Sequence, residues 1–292
     1  MKLVLVGLGK WGKNIKKTLE ELPDFAGGFV EAKEAEAVIV ATPGSTHAEV
    51  ALPFIKQGLP VFIEKPMTTS LRDALRLEKA TRQHGGRASL VFVGHLHLYN
   101  PAFLKAKELV KKAGKIRYVS FEGMNWGPFR SDMSAMWDWA PHDIAMALEL
   151  FGKSTSIQAW GEYDWATLKL ETPSQVSPLV RGRSRRGQNF FITIHVSSLS
   201  SEKRKKMMVA GEKYSVIFDD TADQKVSIYE RGQVSYPSYE KTMPLTAELT
   251  AFIQMIKTKK KPKTDIQNGV EVVRILDAAE RSMKKNGKPV KL

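Results

Sequence analysis

The sequence predicts an α/β protein built as two successive sheets, the first parallel and the second open and mostly antiparallel. Three observations carry that prediction. A glycine-rich loop, Gly7-Leu8-Gly9-Lys10-Trp11-Gly12, follows the apolar run Lys2–Val6 and opens a helical stretch. Short apolar strands then alternate with helical segments as far as Gly94, the rhythm of a parallel sheet with crossover helices. From Asn100 onward the strands alternate like half-exposed ones, and two helices close the chain.

Taken in order, Lys2–Val6 is a strand buried on both faces, and Asn14–Leu22 is a helix ending before Pro23. Ala37–Ala41 is a second strand, stopped by Thr42-Pro43-Gly44. Thr46–Gln57 is helical, Val61–Glu64 is a strand, Ser70–His84 is a helix capped by Ser70, and Ser89–Gly94 is a strand. Pro101–Ala113 is a helix, since proline is tolerated in a first turn. Ile116–Gly123 alternates, and Ile144–Phe151 is helical. Further strands are expected at Thr155–Gly161, Asn189–Ser198, Lys206–Ala210, Tyr214–Phe218 and Val226–Tyr229. Leu245–Lys259 and Ile266–Asn286 are the closing helices. The expected domains are residues 1–97 and 98–292, with no repeat and no low-complexity linker between them.

The chain has 292 residues, enough for one or two domains with a full core. Its composition, 42% hydrophobic and 26% charged, is that of a globular protein rather than a disordered one. It has no cysteine, which excludes disulfides, zinc–cysteine sites, iron–sulfur clusters and thiol nucleophiles. The opening run is broken too soon for a secretory signal, and no apolar run reaches the length of a membrane span. A soluble, cytoplasmic protein is therefore expected. Forty-five basic against 31 acidic residues leave a net charge of +14. The basic runs Arg181–Arg186, Lys203–Lys206 and Lys257–Lys263 lack interleaved aromatics, so no nucleic-acid partner is expected from them.

In the glycine loop each glycine has a mechanical task. Gly7 permits the tight turn, Gly9 lets the backbone approach a pyrophosphate, and Gly12 allows the helix to pack closely on the strand. The freed N–H groups of the helix then face phosphate oxygens. This context predicts a dinucleotide-binding, Rossmann-type domain. The stretch from residue 13 to 36 is too short for a full strand–helix–strand repeat. Either the chain runs directly from the first helix to the Ala37 strand, or Gly27–Glu31 is a stunted second strand. Glu31 stands at about the right distance for the carboxylate that holds an adenosine ribose, though a solvated loop acid is the simpler reading.

Several motifs converge on one family. Gly7–Gly12, Ala41-Thr42-Pro43 with His47, Glu64-Lys65-Pro66, and Asp138-Trp139-Ala140-Pro141-His142-Asp143 closely resemble the glucose–fructose oxidoreductase/inositol dehydrogenase (Gfo/Idh/MocA) family. Gly94-His95, Tyr99-Asn100-Pro101-Ala102 and Arg130-Ser131-Asp132 look most like its branch that oxidises nucleotide-linked sugars at a ring hydroxyl. Ser197–Lys205 and Phe218-Asp219-Asp220 are similar to that branch's second domain. The resemblance implies an NAD- or NADP-dependent oxidoreductase that moves a hydride between nicotinamide and a secondary hydroxyl of a sugar or nucleotide-sugar. It also implies an oligomer; the open face of the second sheet is expected to be apolar enough to pair with another subunit, giving a homodimer or homotetramer. The shortened segment after Gly12 supports an alternative, a non-catalytic sugar- or effector-binding protein with a degenerate cofactor site.

The reaction needs a group to take the hydroxyl proton and one to stabilise the developing alkoxide. Lys65 sits where a parallel strand ends, the place such sheets put ligands, and Pro66 holds its backbone extended. The resemblance makes it the donor to the substrate oxygen. His142 titrates near neutrality and is the candidate base. Asp138, four residues earlier, is expected to orient it if the stretch is helical, although Pro141 then belongs in a first turn. Asp143 reads as a helix N-terminal carboxylate. The cofactor residues expected are Gly7, Leu8, Gly9, Lys10, Trp11, Gly12, Thr42, Pro43, His47, Glu64, Lys65 and Pro66. The substrate residues expected are Lys65, Tyr99, Asn100, Arg130, Asp138 and His142. His95 and His97 share one face of their strand, but no carboxylate joins them at ligand spacing and no metal is expected. Trp126, Trp137 and Trp139 read more as core than as walls of a site.

Overall fold

The computed structural model describes residues 1–25, 27–82, 90–173 and 189–292. The basic run Arg181–Arg186, and the expected helix and strand ends at His84 and Ser89, lie outside the described residues. By contacts the chain divides into two compact units, residues 1–100 with 242–273, and residues 101–241 with 274–292. The segment 242–273, expected with the second domain, thus packs with the first.

The first unit begins with β1 (Lys2–Val6), α1 (Lys10–Glu20) and β2 (Gly28–Phe29). It continues through β3 (Ala37–Val40), α2 (His47–Lys56), β4 (Val61–Glu64), α3 (Leu71–Thr81) and β5 (Val91–Gly94). All five strands are parallel, in the order β2-β1-β3-β4-β5. The strands Ala37–Val40 and Val61–Glu64 are buried at every position, as strands covered on both faces must be. Of the two routes open after Gly12, the chain takes the stunted strand: β2 pairs with β1 through Lys2↔Gly28 and Leu3↔Phe29 only. The helix α3 has the expected cap, Ser70 accepting from the Asp73 N–H at 3.1 Å.

The second unit starts with α4 (Pro101–Val110), β6 (Ile116–Trp126) and α5 (Ala135–Phe151). Strands β7 (Ser156–Gly161), β8 (Trp165–Pro173), β9 (Asn189–Ser197), β10 (Leu199–Gly211), β11 (Ser215–Asp219), β12 (Val226–Glu230) and β13 (Gln233–Ser235) follow. The chain ends with α6 (Pro244–Thr258), α7 (Ile266–Met283) and β14 (Val290–Lys291). Nine strands form one sheet, β13-β12-β11-β10-β6-β9-β8-β7-β14, antiparallel except for β6 against β9. One face packs on α5. The opposite face carries Tyr118, Trp160, Phe191 and Tyr229, each at least 41% exposed.

Two expectations need correction here. α5 begins nine residues before Ile144, so Pro141 lies inside the helix rather than in its first turn. β8, which the sequence reading missed, alternates buried and half-buried residues along its whole length. Its core-facing positions, Ala166, Leu168, Leu170 and Thr172, are separated by Thr, Lys and Glu, which hides the period from a search for apolar runs.

The returning helix α6 completes the core of the first unit. Its Phe252 packs edge-on against Phe62 at 5.5 Å and Phe92 at 5.7 Å, and those two rings stack at 5.2 Å. Leu249, Phe252 and Ile253 are fully buried with Leu3, Ile15 and Leu19. Burying an aromatic side chain of this size contributes about 2–3 kcal/mol.

Candidate functional site

β1 delivers the chain into Gly7, whose φ of +104° is a conformation only glycine adopts without strain. A Cβ there would also stand 2.5 Å from the Ala41 carbonyl and 2.7 Å from the Thr42 N, at the end of β3. A Cβ on Gly12 would stand 1.9 Å from the Gly7 O, so helix and loop touch backbone to backbone. Gly9 differs: nothing lies within 4 Å of where its Cβ would be. Gly9 is the N-cap of α1, no side chain caps that terminus, and no acid stands in the first turn. The N–H groups of the turn therefore open onto unfilled space at the positive end of a helix. The chain leaves β1 for β2 on one side and returns to β3 on the other, the switch point at which such sheets bind ligands. These residues fit the diphosphate of a dinucleotide.

The turn after β4 is tied to this loop. Glu64, 7% exposed, accepts from Trp11 Nε1 at 2.6 Å and from the Lys65 backbone N–H at 3.1 Å. Burial pushes the Glu64 carboxyl up, and the Trp11 N–H and the charge of Lys65 oppose it. Gly94, opposite Glu64 in the sheet, leaves room for that carboxylate: a Cβ there would stand 3.1 Å from Oε2. The Lys65–Pro66 peptide is cis, and Lys65 is half-buried. His47 joins the two strand ends, with Nδ1 2.9 Å from Pro66 O and Nε2 2.8 Å from Thr42 O. Both partners only accept, so a neutral ring donates to one of them at a time. Burial holds this imidazole below its ordinary range, against the pull of the two carbonyls.

In the second unit, Asp138 and His142 lie one turn apart on α5. The loop before α5 carries Arg130, bonded through Nε and Nη2 to Asp132 at 2.9 and 2.7 Å. Its Nη1 stands 3.9 Å from Asp138. Arg130, Asp138, Trp139, Tyr163, Asp164 and Ser198 line a pocket beside the start of α5. Carboxylates, a guanidinium and aromatic rings are the groups that hold hydroxylated rings. Asp143 is not a helix N-terminal carboxylate, because α5 starts eight residues before it. It is 6% exposed, its Oδ2 has no hydrogen-bond partner among the described residues, and burial pushes it up to about 8 against the charge of Lys205.

In the first unit the structure brings together the glycine loop, Thr42, His47, Glu64, Lys65 and Pro66. Leu8, Lys10 and Pro43 are exposed beside them. Tyr99 is built into packing: its ring stacks on Phe92 at 5.1 Å and its hydroxyl bonds Thr264 Oγ1 at 3.0 Å. Asn100 is 2% exposed. His95 and His97 do not share a strand face. β5 stops at Gly94, and both lie in the tight turn that follows, each nearly fully buried. No group of three or more potential metal ligands occurs among the described residues. Trp137 is buried with its indole donating to Glu280 at 2.7 Å, whereas Trp126 is 65% exposed, not core. Glu31 follows β2 and pairs with Lys33 at 3.1 Å. Sequence reasoning missed Glu248, which is fully buried on α6. Its spacing from Leu245, Leu249 and Phe252 puts it on the apolar stripe, and that was the available signal.

Residues 19–95 match the Gfo/Idh/MocA family, described as an oxidoreductase family with an NAD-binding Rossmann fold. Inositol 2-dehydrogenase 2 of Saccharopolyspora erythraea is 32% identical over 130 residues, 43% of this chain and 38% of that protein. The chain thus spans well under half the length of the curated relatives it matches. Among solved structures, one assigned as an oxidoreductase from Magnetospirillum magnetotacticum superposes with a TM-score of 0.78 at 28% identity, over 95% of this chain and 99% of that one. UDP-N-acetylglucosamine 3-dehydrogenase GnnA from Acidithiobacillus ferrooxidans shares the fold, with a TM-score of 0.80 at 19% identity over 98% of each chain. No described helix is long and apolar enough to cross a membrane. Residues 19–95, from within α1 to the end of β5, thus match the NAD-binding Rossmann domain of the family that the motifs resemble.

Proposed function

We propose that the protein is an NAD(P)-dependent dehydrogenase acting on a secondary hydroxyl of a sugar, polyol or nucleotide-linked sugar. The observation that carries this reading is the Trp11–Glu64 bond, which fastens the open phosphate loop to the backbone of Lys65. NAD or NADP, when bound, supplies the hydride acceptor or donor. The chain's own residues do the rest. Gly9 and the first turn of α1 hold the diphosphate. Lys65 donates from its ammonium to the reacting substrate oxygen and stabilises negative charge there. His142 takes the hydroxyl proton on its imidazole, and Asp138 orients that ring. Arg130, with Trp139 and Tyr163, holds the sugar. The relatives named above act on an inositol and on a UDP-linked amino sugar, which makes these the first substrates to offer. The apolar residues on the open face of the second sheet support a homodimer or homotetramer.

A second reading draws on β2. Two residues are a slight floor for an adenosine pocket, which favours a binding protein that has lost its coenzyme. Titration with NADH and NADPH, followed by nicotinamide fluorescence, separates the two. Saturable binding of either, and reduction of NAD or NADP with an inositol or a UDP-sugar, supports the dehydrogenase. No binding at millimolar coenzyme supports the second reading and ends the first.

A further inference from the structure

Glu248 is the buried acid for which the reaction proposed above has no use. It is 0% exposed, and neither carboxyl oxygen has a hydrogen-bond or ion-pair partner among the described residues. Its place follows from packing. Phe252 rests on Phe62 of β4; Glu248 is one turn back on the same helix face, and Glu64 is two residues on along the same strand face. The two carboxyl groups therefore occupy one dry region, and Glu248 feels the charge of Glu64.

Two neighbouring carboxyl groups in such a region cannot both ionise cheaply, so one keeps a proton. Donors decide which. Glu64 has two N–H donors, from Trp11 and from the Lys65 backbone, and Glu248 has none. We propose that Glu248 is a positioning residue: it retains its proton so that Glu64 can carry the charge that holds Trp11 and the backbone of Lys65.

The surroundings agree. Burial and the charge of Glu64 both push Glu248 up, and only Lys263 opposes them. Lys263 is itself turned to the Leu98 carbonyl and lies over the Tyr99 ring. Of the elements packed on α6, α1 presents its lysines, Lys10, Lys13, Lys16 and Lys17, to solvent. The turn after β5 contributes His97 and Tyr99, and the buried His95, held at about 3 by burial and by Lys65, stays neutral.

The sign of the pH effect is fixed. A carboxyl held up in the folded state stabilises the fold at low pH and loses that contribution as pH rises. Glu248→Gln, the same shape without a titration, escapes the loss. Its Tm is expected to match or exceed that of the wild type near about pH 6, with the gap widening by about 3 °C or more by about pH 9. Parallel curves, or a gap that opens in favour of the wild type, would overturn the proposal. Glu248→Met, equally uncharged, repeats the comparison if the glutamine variant accumulates poorly. Infrared spectra give an independent reading: the wild type at neutral pH should show a protonated-acid C=O band that Glu248→Gln lacks, and its absence refutes the assignment.

The consequence for coenzyme rests on the function proposed above. NADH affinity of the wild type should weaken toward high pH more than that of Glu248→Gln. Failure of NADH to bind either protein would fall on that function, while the Tm and infrared comparisons would still decide the carboxyl pair.

Discussion

The end of β4 and the middle of α5 each bury a carboxyl group, and they treat it differently. Glu64 meets two N–H donors, one from the phosphate loop and one from its own turn. Asp143 leaves Oδ2 without a donor among the described residues, pressed so near Gly123 that a Cβ there would stand 3.1 Å away. The first arrangement suits a charge and the second a proton. Depth is similar, 7% and 6% exposure, so depth cannot be the cause. Burial raises both groups, Glu64 to about 7 and Asp143 to about 8, and at Glu64 the N–H donors oppose the rise, as proposed for the Glu64–Glu248 pair.

The comparison extends to the proposed chemistry, because Lys65 stands on the first element and His142 on the second. Lys65→Ala and His142→Ala should each lower turnover by about 10²–10⁴-fold, with coenzyme affinity nearly unchanged. Steady-state rates with the best substrate, set beside NADH titrations, check this. A variant that keeps most of its rate removes its residue from the mechanism.

Asp143→Asn probes the proton-holding side. With Asp143 raised to about 8, wild-type stability should decline as pH climbs from the ordinary carboxylate range toward that value. The asparagine variant should not share that decline and should be about 1–3 kcal/mol more stable by about pH 9. Urea unfolding at several pH values measures it, and a constant difference between the two proteins would show Asp143 to be ionised throughout.

Trp11→Phe tests the charge-holding side by taking one donor from Glu64 while keeping an aromatic ring. It should cost about 1.5–3 kcal/mol at neutral pH, less as pH falls and Glu64 gains a proton, and it should weaken NADH binding. A pH-independent loss would mean that the indole packs but does not hold a charge.

The two elements also differed in how far the sequence exposed them. The glycine loop and the Glu-Lys-Pro turn are local: strand, turn and helix follow within a dozen residues, so each side chain's position could be read from the chain. Ser70 announced its helix in the same way. α5 was read too short because Pro141 and His142 mimic a helix start, yet the helix accommodates proline in its interior. Asp143 was consequently misplaced at a terminus. Glu248 and the segment 242–273 depend on a return of the chain across more than 140 residues, and no local pattern states where such a return lands. The stub at β2 was legible as a shortage of residues before it was visible as a strand.

The open space at Gly9 is proposed to take the diphosphate of NAD or NADP, and Gly9→Val tests this most directly. Nothing lies within 4 Å of the Gly9 Cβ position, so this variant should fold, losing only the roughly 1 kcal/mol of a poorer N-cap residue. NADH and NADPH titrations should show binding to the wild type and a loss of about tenfold or more in the variant, as the added methyls fill the phosphate cradle. Equal affinity of the two proteins for coenzyme would contradict the account.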